Sequence, residues 1–220
     1  MIIKSFNIAD LKKSKSNFFL FYGENEGQKE DIIKSIFTND FIGEIIKYEE
    51  SQILENKDNF FELCLGESLF DEYKIIQVTR VTPKLYDVVK EITSKNINKK
   101  KIFFISENLE KKSKIRRFFE DDKKLVCTAF YKDNGPTLYK IADEFFKKNK
   151  ISISSENINL IIGKCDGDRK KLKNDMDKIN QQTERKLVKI LTKEQFKIFK
   201  IIQEEQRNQL RLKLMENRGK

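Results

Sequence analysis

Two short apolar segments, one near the start of the chain and one near its middle, constrain the fold most. FFLFY at Phe18–Tyr22 and IFFI at residues 102–105 are apolar or aromatic at every position. A strand with one face in water alternates apolar and polar residues, whereas a strand buried on both faces does not. These two segments therefore predict central strands of a parallel sheet that is covered by helices on both faces.

Other strand-like segments alternate with helical patterns over the first part of the chain. The predicted strands are Phe18–Tyr22, 44–48, Lys74–Thr79, 101–106 and 124–130. The predicted helices between them are 28–38, 58–69, 85–94 and 113–120. Alternation of strand and helix is typical of an α/β domain with a parallel sheet. We therefore predict an α/β fold built on a parallel five-stranded sheet.

The pattern changes at KDNGPTL, residues 132–138, where an Asn-Gly-Pro turn is typical of a linker. Helical patterns without strong strands follow, over 137–148, 154–164, 168–179 and 192–205. In the third of them Leu172, Met176 and Ile179 form one apolar stripe at helical spacing. We predict an α/β domain over residues 1–136, a small helical domain over 137–205 and a polar C-terminal tail over 206–220.

The composition excludes several classes of chemistry. The 220 residues include no histidine and three cysteines, Cys64, Cys127 and Cys165, which are far apart and surrounded by apolar residues. We interpret the cysteines as buried small hydrophobic residues, and we expect no metal, no cofactor and no catalytic residue. No apolar run approaches the roughly 20 residues of a membrane span, and no signal peptide is evident. We therefore expect a cytoplasmic protein without a membrane partner.

The segment FYGENEGQKED, residues 21–31, follows the first predicted strand, where a phosphate-binding loop would lie. A functional loop reads GxxxxGK[ST], with a lysine directly after the second glycine and a hydroxyl after the lysine. Here Gly23 and Gly27 are one residue too close, Lys29 does not directly follow Gly27, and Glu24 and Glu26 would repel a polyphosphate. We interpret the segment as a degenerate nucleotide loop that forms a strand-to-helix turn. An active NTPase with an unusual loop remains the alternative.

Positive charge is unevenly distributed. The net charge is +10, but residues 1–60 contain 8 Lys/Arg and 11 Asp/Glu, so they carry −3 and the remaining 160 residues carry +13. A basic C-terminal portion is typical of a protein with a polyanionic partner, so a general DNA-binding module is a further alternative. The richest cluster lies in EKKSKIRRFFE, residues 110–120, and consists of Lys111, Lys112, Lys114, Arg116 and Arg117. These residues either contact DNA phosphates or form the solvated face of a helix.

A pair of large apolar residues ends the second predicted helix. Leu69 and Phe70 follow Gly66 and precede two acidic residues, and the next strand begins near Lys74. Neighbouring residues do not share one narrow helical stripe, so at least one of the pair is expected to face water. An exposed apolar pair with a charged rim is typical of a protein-binding anchor. The alternative is that both residues complete the core at the edge of the sheet.

The order and spacing of several segments resemble the delta subunit family of the bacterial DNA polymerase III clamp loader. The segments are FFLFYGENE, SLFDEYKIIQV, KIFFISENLEKKSKIRRFFE, LVCTAFY and ISISSENINLIIGKCDGDRKKLKNDMDKI, which together span most of residues 1–180. The resemblance implies an AAA+-like domain with a degenerate nucleotide site, followed by a helical lid. It also implies a subunit without intrinsic ATPase activity that binds the sliding clamp and promotes its opening for loading onto primed DNA.

The family's clamp-binding element, a hydrophobic pair at the end of a helix, falls on Leu69 and Phe70. We include Ser68 and Leu65 beside them in the predicted clamp-binding set. Glu67 departs from the pattern, since some members have an apolar residue there. The family's C-terminal collar, which joins the loader subunits, has no counterpart before Lys220. The chain is then either a truncated form or fragment, or a divergent member, and in each case we expect clamp binding through the first domain. Stable assembly with other loader subunits would need the collar.

Overall fold

The computed structural model describes residues 1–66 and 73–216, and for residues 203, 206, 207 and 210–216 it describes the backbone alone. The chain forms two compact units, the first at Met1–Tyr131 and the second from Lys132 onward. The first unit contains the sheet and the second is helical.

The first unit alternates strands and helices. The strands are β1 Phe18–Tyr22, β2 Glu44–Glu49, β3 Lys74–Thr79, β4 Lys100–Ile105 and β5 Val126–Ala129. The helices are α1 Ile8–Lys13, α2 Glu26–Ile32, α3 Glu50–Glu55, α4 Lys57–Leu65, α5 Tyr86–Thr93 and α6 Lys114–Asp121. A π-helical turn, Ile33–Thr38, continues α2, and a 3-10 turn, Pro83–Leu85, precedes α5.

All five strands are parallel, in the order β2-β3-β4-β1-β5, which confirms the predicted fold class. From β1 the chain crosses to the far edge of the sheet, returns through β3 and β4, and then passes β1 to reach β5. Parallel crossovers are right-handed, so the connection from β1 to β2 covers one face and the later connections cover the other.

The central strands β1 and β4 are buried on both faces, as their continuous apolar segments predict, whereas the edge strand β2 is largely exposed. Phe18, Leu20 and Tyr22 of β1 pack in one hydrophobic cluster, which includes residues of α4, α5 and α6. Phe19 and Phe21 point to the opposite face and pack in a second cluster with residues of α1 and α2. All five side chains are buried, so β1 contributes no residue to the solvent-exposed surface.

As far as residue 216 the second unit contains four helices, α7 Gly135–Lys148, α8 Ser155–Cys165, α9 Arg169–Ile190 and α10 Lys193–Glu216. Its core joins Phe146 of α7 and Ile158 of α8 to Leu172 and Met176 of α9. Asp133 and Arg169 form a bidentate ion pair with N–O distances of 2.6 and 2.7 Å. Helix α9 continues well beyond the predicted residues 168–179, because no helix-breaking residue interrupts the polar sequence that follows.

The sequence analysis did not predict two short helices, α1 and α3, each of six residues. Helix α1 buries only Leu11, so it has no periodic apolar stripe that a sequence pattern would reveal. Helix α3 begins at a capping box between Glu49 and Gln52 and follows β2 directly. The predicted helix 58–69 corresponds to α4 as far as Leu65, and residues 67–69 lie outside the described part of the chain.

Candidate functional site

The topology places a candidate ligand site beside the carboxyl end of β1. In the sheet, β1 lies between β4 and β5, and the segments that leave β1 and β4 lead to helices on opposite faces. Open parallel sheets bind ligands in the crevice that such diverging connections leave at the carboxyl ends of the strands. Gly23 follows β1 and Ser106 follows β4, so both residues line this position.

The side chain of Lys29 fills the crevice. Its Nζ donates hydrogen bonds to the carbonyl oxygens of Gly23, at 2.9 Å, and Ser106, at 2.7 Å, and it forms an ion pair with the Glu26 carboxylate. Lys29 is 1% exposed. The three partners of the buried ammonium group all belong to the protein, so its charge is used within the fold. A bound phosphate would have to compete with these contacts for the same charge.

The turn that enters α2 is also closed by contacts within the protein. Gly23 has φ of +121°, and a Cβ atom at this position would lie 2.1 Å from the carbonyl oxygen of Phe130. At the start of α2, the side chain of Asn25 accepts a hydrogen bond from the backbone N–H of Gln28 at 3.0 Å. Gly27, the second predicted loop glycine, is buried in the first turn of α2. The position therefore requires glycine at residue 23, and Asn25 occupies one of the amide donors that a phosphate would use.

Two residues of this closed loop, Asn25 and Ser106, were not singled out from the sequence. Asn25 is recognisable in retrospect, because asparagine is a preferred N-cap and the helical pattern begins directly after it. Ser106 contributes its backbone carbonyl, and any residue type would supply one. No sequence signal identifies such a partner.

The predicted clamp-binding residues Ser68, Leu69 and Phe70 lie outside the described residues. Leu65, the fourth member, is the last residue of α4 and is partly buried against the sheet. The carbonyl oxygen of Gly66 accepts a hydrogen bond from Nζ of Lys100, the first residue of β4, at 2.5 Å. The segment that carries the predicted pair therefore leaves α4 at a point tied to the sheet.

The predicted basic cluster lies in α6 and the turn before it, and its side chains differ in exposure. Lys111, Lys112, Lys114 and Arg117 are exposed. Arg116 is 14% exposed and contacts the protein on three sides. It donates to the Glu120 carboxylate at 2.8 Å and to the Leu109 carbonyl at 3.0 Å, and it lies over the ring of Tyr22 at 4.7 Å. The side chain of Arg116 thus supports the fold, whereas the other four basic side chains face solvent.

The thiols of the first unit, Cys64 and Cys127, are buried. Burial raises the pKa of Cys64 to about 12, and burial, with a smaller contribution from Glu120, raises the pKa of Cys127 to about 12.

Among the described residues, no group of three or more Cys, Asp or Glu side chains is arranged to hold a metal ion. Within the same part of the chain, no helix is both long and apolar enough to cross a membrane.

The fold and the closed loop thus define an α/β parallel-sheet domain with a self-filled crevice, followed by a helical unit. No family model matches the chain, and no curated protein matches it in sequence. Among solved structures, the chain is similar to the Bacillus subtilis DNA clamp loader delta protein, at 13% sequence identity and a TM-score of 0.48. The match covers 81% of this chain and 57% of that protein, so the chain spans little more than half of it. The resemblance is distant and concerns the fold.

Proposed function

We propose that this protein is a non-catalytic, delta-type clamp-loader protein that binds the sliding clamp and favours its opening on primed DNA. The observation that carries the proposal is the buried Lys29, which fills the crevice where a nucleotide's phosphates would bind. A domain that keeps the parallel sheet and the strand-to-helix turn but closes the nucleotide site is suited to binding rather than hydrolysis. The sequence resemblance to the delta subunit family supplies the identity of the partner.

In this proposal Leu69 and Phe70 insert into a pocket of the clamp. The adjoining described residues support an anchor in that position, since Phe60 and Cys64 bury the inner face of α4 and Lys100 holds the Gly66 carbonyl. To favour an open clamp, the same surface must bind the open ring more tightly than the closed ring.

The first experiment measures binding to the sliding clamp of the same organism by biolayer interferometry. Burying a Leu and a Phe side chain contributes roughly 1.5–3 kcal/mol each, so Leu69→Ala with Phe70→Ala should weaken binding by about 10²- to 10⁴-fold. The control is Phe6→Ala with Leu160→Ala, because both of these side chains are exposed. Equal affinities of wild type and the Leu69/Phe70 variant would disprove the anchor, and no binding by the wild type would disprove the function.

The alternative of an active NTPase is tested separately. We expect millimolar ATP with Mg²⁺ to leave the unfolding temperature unchanged, because Lys29 and the Asn25 cap already occupy the phosphate-binding groups. Tight nucleotide binding that is lost in Lys29→Ala would favour the NTPase instead. The alternative of a general DNA-binding module predicts salt-sensitive DNA affinity in the absence of any clamp, which a titration at several salt concentrations measures.

A further inference from the structure

Five lysines converge on a groove at the amino end of the sheet. The groove has a volume of about 780 Å³ and is lined by the segments that enter β1, β4 and β5, which are neighbours in the sheet. We call it the lysine groove, after the lysines that line it: Lys13, Lys15, Lys95, Lys123 and Lys124. All five are exposed. Because three separate parts of the chain contribute them, the cluster is a product of the fold and not of a charge run.

The charge of the lysine groove is uncompensated. Within the described part of the chain, none of its five ammonium groups makes an ion pair or a hydrogen bond to the protein. The one carboxylate that lines the groove, Asp122, accepts a hydrogen bond from the backbone N–H of Lys124 at 2.7 Å. Other surface lysines do have partners, for example Lys112 with Glu110 and Lys147 with Asp143. The groove thus carries five lysines against one carboxylate and keeps a net positive charge, so an anion would meet ammonium groups that make no direct ion pair.

Several of the other polar groups of the groove make hydrogen bonds within the protein. The Ser16 hydroxyl lies within hydrogen-bond distance of the backbone carbonyls of Phe18, at 2.9 Å, and Lys124, at 2.7 Å. The Thr93 hydroxyl donates to the Val89 carbonyl. The Asn17 amide donates to the Ile97 carbonyl. The lysines are left as the principal donors. Flexible ammonium groups act as point charges and recognise phosphates without reading base sequence.

We propose that the lysine groove binds the phosphodiester backbone of nucleic acid, independently of base sequence. Several exposed lysines side by side favour a polymer over a small anion, because each neutralised phosphate releases counterions from the strand. An acidic protein is a poorer fit. Of the apolar residues of the lining, Phe18, Ile97 and Leu125 are buried and only Met1 is exposed, at 41%, so the groove offers little apolar surface to a peptide side chain. This proposal does not depend on clamp binding.

The test is fluorescence anisotropy of the full chain with a labelled 20-base-pair duplex, titrated at several KCl concentrations. The groove variant is Lys95→Gln/Lys123→Gln/Lys124→Gln. It should bind about tenfold or more weakly at low salt, and the slope of log affinity against log salt should fall by about 2–3. The matched control is Lys34→Gln/Lys57→Gln/Lys90→Gln, which removes equal charge from exposed positions elsewhere in the first unit. It should stay within about twofold of the wild type, since nonspecific charge effects are small.

A second comparison uses Lys111→Gln/Lys112→Gln/Lys114→Gln, which removes the exposed lysines of the predicted cluster. If this variant loses binding and the groove variant does not, the groove proposal is wrong and the cluster is the DNA contact. Competition by polyglutamate as effective as competition by unlabelled duplex would also overturn it, in favour of an acidic protein partner. Salt-insensitive binding by the wild type would exclude a phosphate contact. Circular dichroism of each variant verifies that these exposed substitutions leave the fold intact.

Discussion

Lysine has opposite roles at the two ends of the sheet. At the carboxyl end, Lys29 is 1% exposed and has two backbone carbonyls and a carboxylate as partners. At the amino end, the lysine groove presents exposed ammonium groups without partners among the described residues. A buried charge must be paired to be tolerated, whereas an exposed charge is hydrated and remains available to a ligand. In this domain the carboxyl end of the sheet, where parallel sheets usually bind ligands, is therefore filled by the protein's own side chain. The amino end is charged and open to solvent.

The largest expected effect concerns the closed end. Gly23→Ala places a Cβ atom 2.1 Å from the Phe130 carbonyl oxygen at a residue with φ of +121°. Because neither backbone segment can move without disturbing β1 or the end of β5, we expect a loss of about 3–4 kcal/mol in the free energy of unfolding. Urea denaturation followed by circular dichroism measures it.

Gly163→Ala is the control for this substitution. Gly163 lies inside α8, and a Cβ atom there would meet nothing within 4 Å. Alanine should stabilise the helix by about 0.5–1 kcal/mol. If Gly23→Ala proved as stable as the wild type, the tight closure of the loop against Phe130 would be refuted.

The second prediction compares the two kinds of lysine directly. Lys29→Met removes the donor of the Gly23 and Ser106 carbonyls and the partner of Glu26, and should cost about 2–4 kcal/mol. The same substitution in the lysine groove, Lys123→Met, should change the free energy of unfolding by no more than about 0.5 kcal/mol. Chemical denaturation of both variants gives the comparison. Similar losses would show that the contacts of Lys29 add little to stability.

The sheet was predictable from the sequence, and the roles of these lysines were not. FFLFY and IFFI are apolar at every position, and burial on both faces leaves few other solutions than a central parallel strand. The closed loop was recognised only as a failed phosphate loop, because the partner of Lys29 at Ser106 lies far away in the sequence and acts through its backbone. The lysine groove combines residues from three distant segments. Their proximity follows only from the strand order, in which β4, β1 and β5 are neighbours.

The predicted anchor illustrates a different limit. Leu69 and Phe70 were identified because two adjacent apolar residues do not fit one helical stripe. Their structure lies outside the described residues, so the anchor stays a prediction that binding experiments must test. The basic cluster was identified by charge alone. Charge does not distinguish Arg116, which pairs with Glu120 and lies over the ring of Tyr22, from its exposed neighbours.

A third prediction concerns the thiol of Cys127, which is buried away from water. Burial raises the pKa of the Cys127 thiol from 9.0 to about 12. Since the unfolded chain loses this proton near pH 9, the contribution of the thiol to stability is complete below pH 9. It declines as pH rises toward 12. Between pH 8 and pH 10 the decline should be about 1.4 kcal/mol for this residue.

Comparing Cys127→Ala with Val126→Ala isolates this contribution. Both side chains are buried in β5, but only cysteine ionises. Val126→Ala should therefore lose the same stability at pH 8 and pH 10, whereas Cys127→Ala should be closer to the wild type at pH 10 than at pH 8. A pH-independent loss in Cys127→Ala would mean that the native thiol ionises as readily as the unfolded one.

The smallest expected effect tests the open end in the absence of any ligand. Like charges that are not paired repel one another, and salt screens this repulsion over a Debye length of about 10 Å at 0.1 M. Raising KCl from about 20 to 300 mM should therefore stabilise the wild type relative to Lys95→Gln/Lys123→Gln/Lys124→Gln by a few tenths of a kcal/mol. The Lys34/Lys57/Lys90 control variant should respond as the wild type does. A groove variant that also responded like the wild type would mean that these lysines lie too far apart to repel one another. The difference between the paired carboxyl end of the sheet and the charged amino end would then be supported by Lys29 alone.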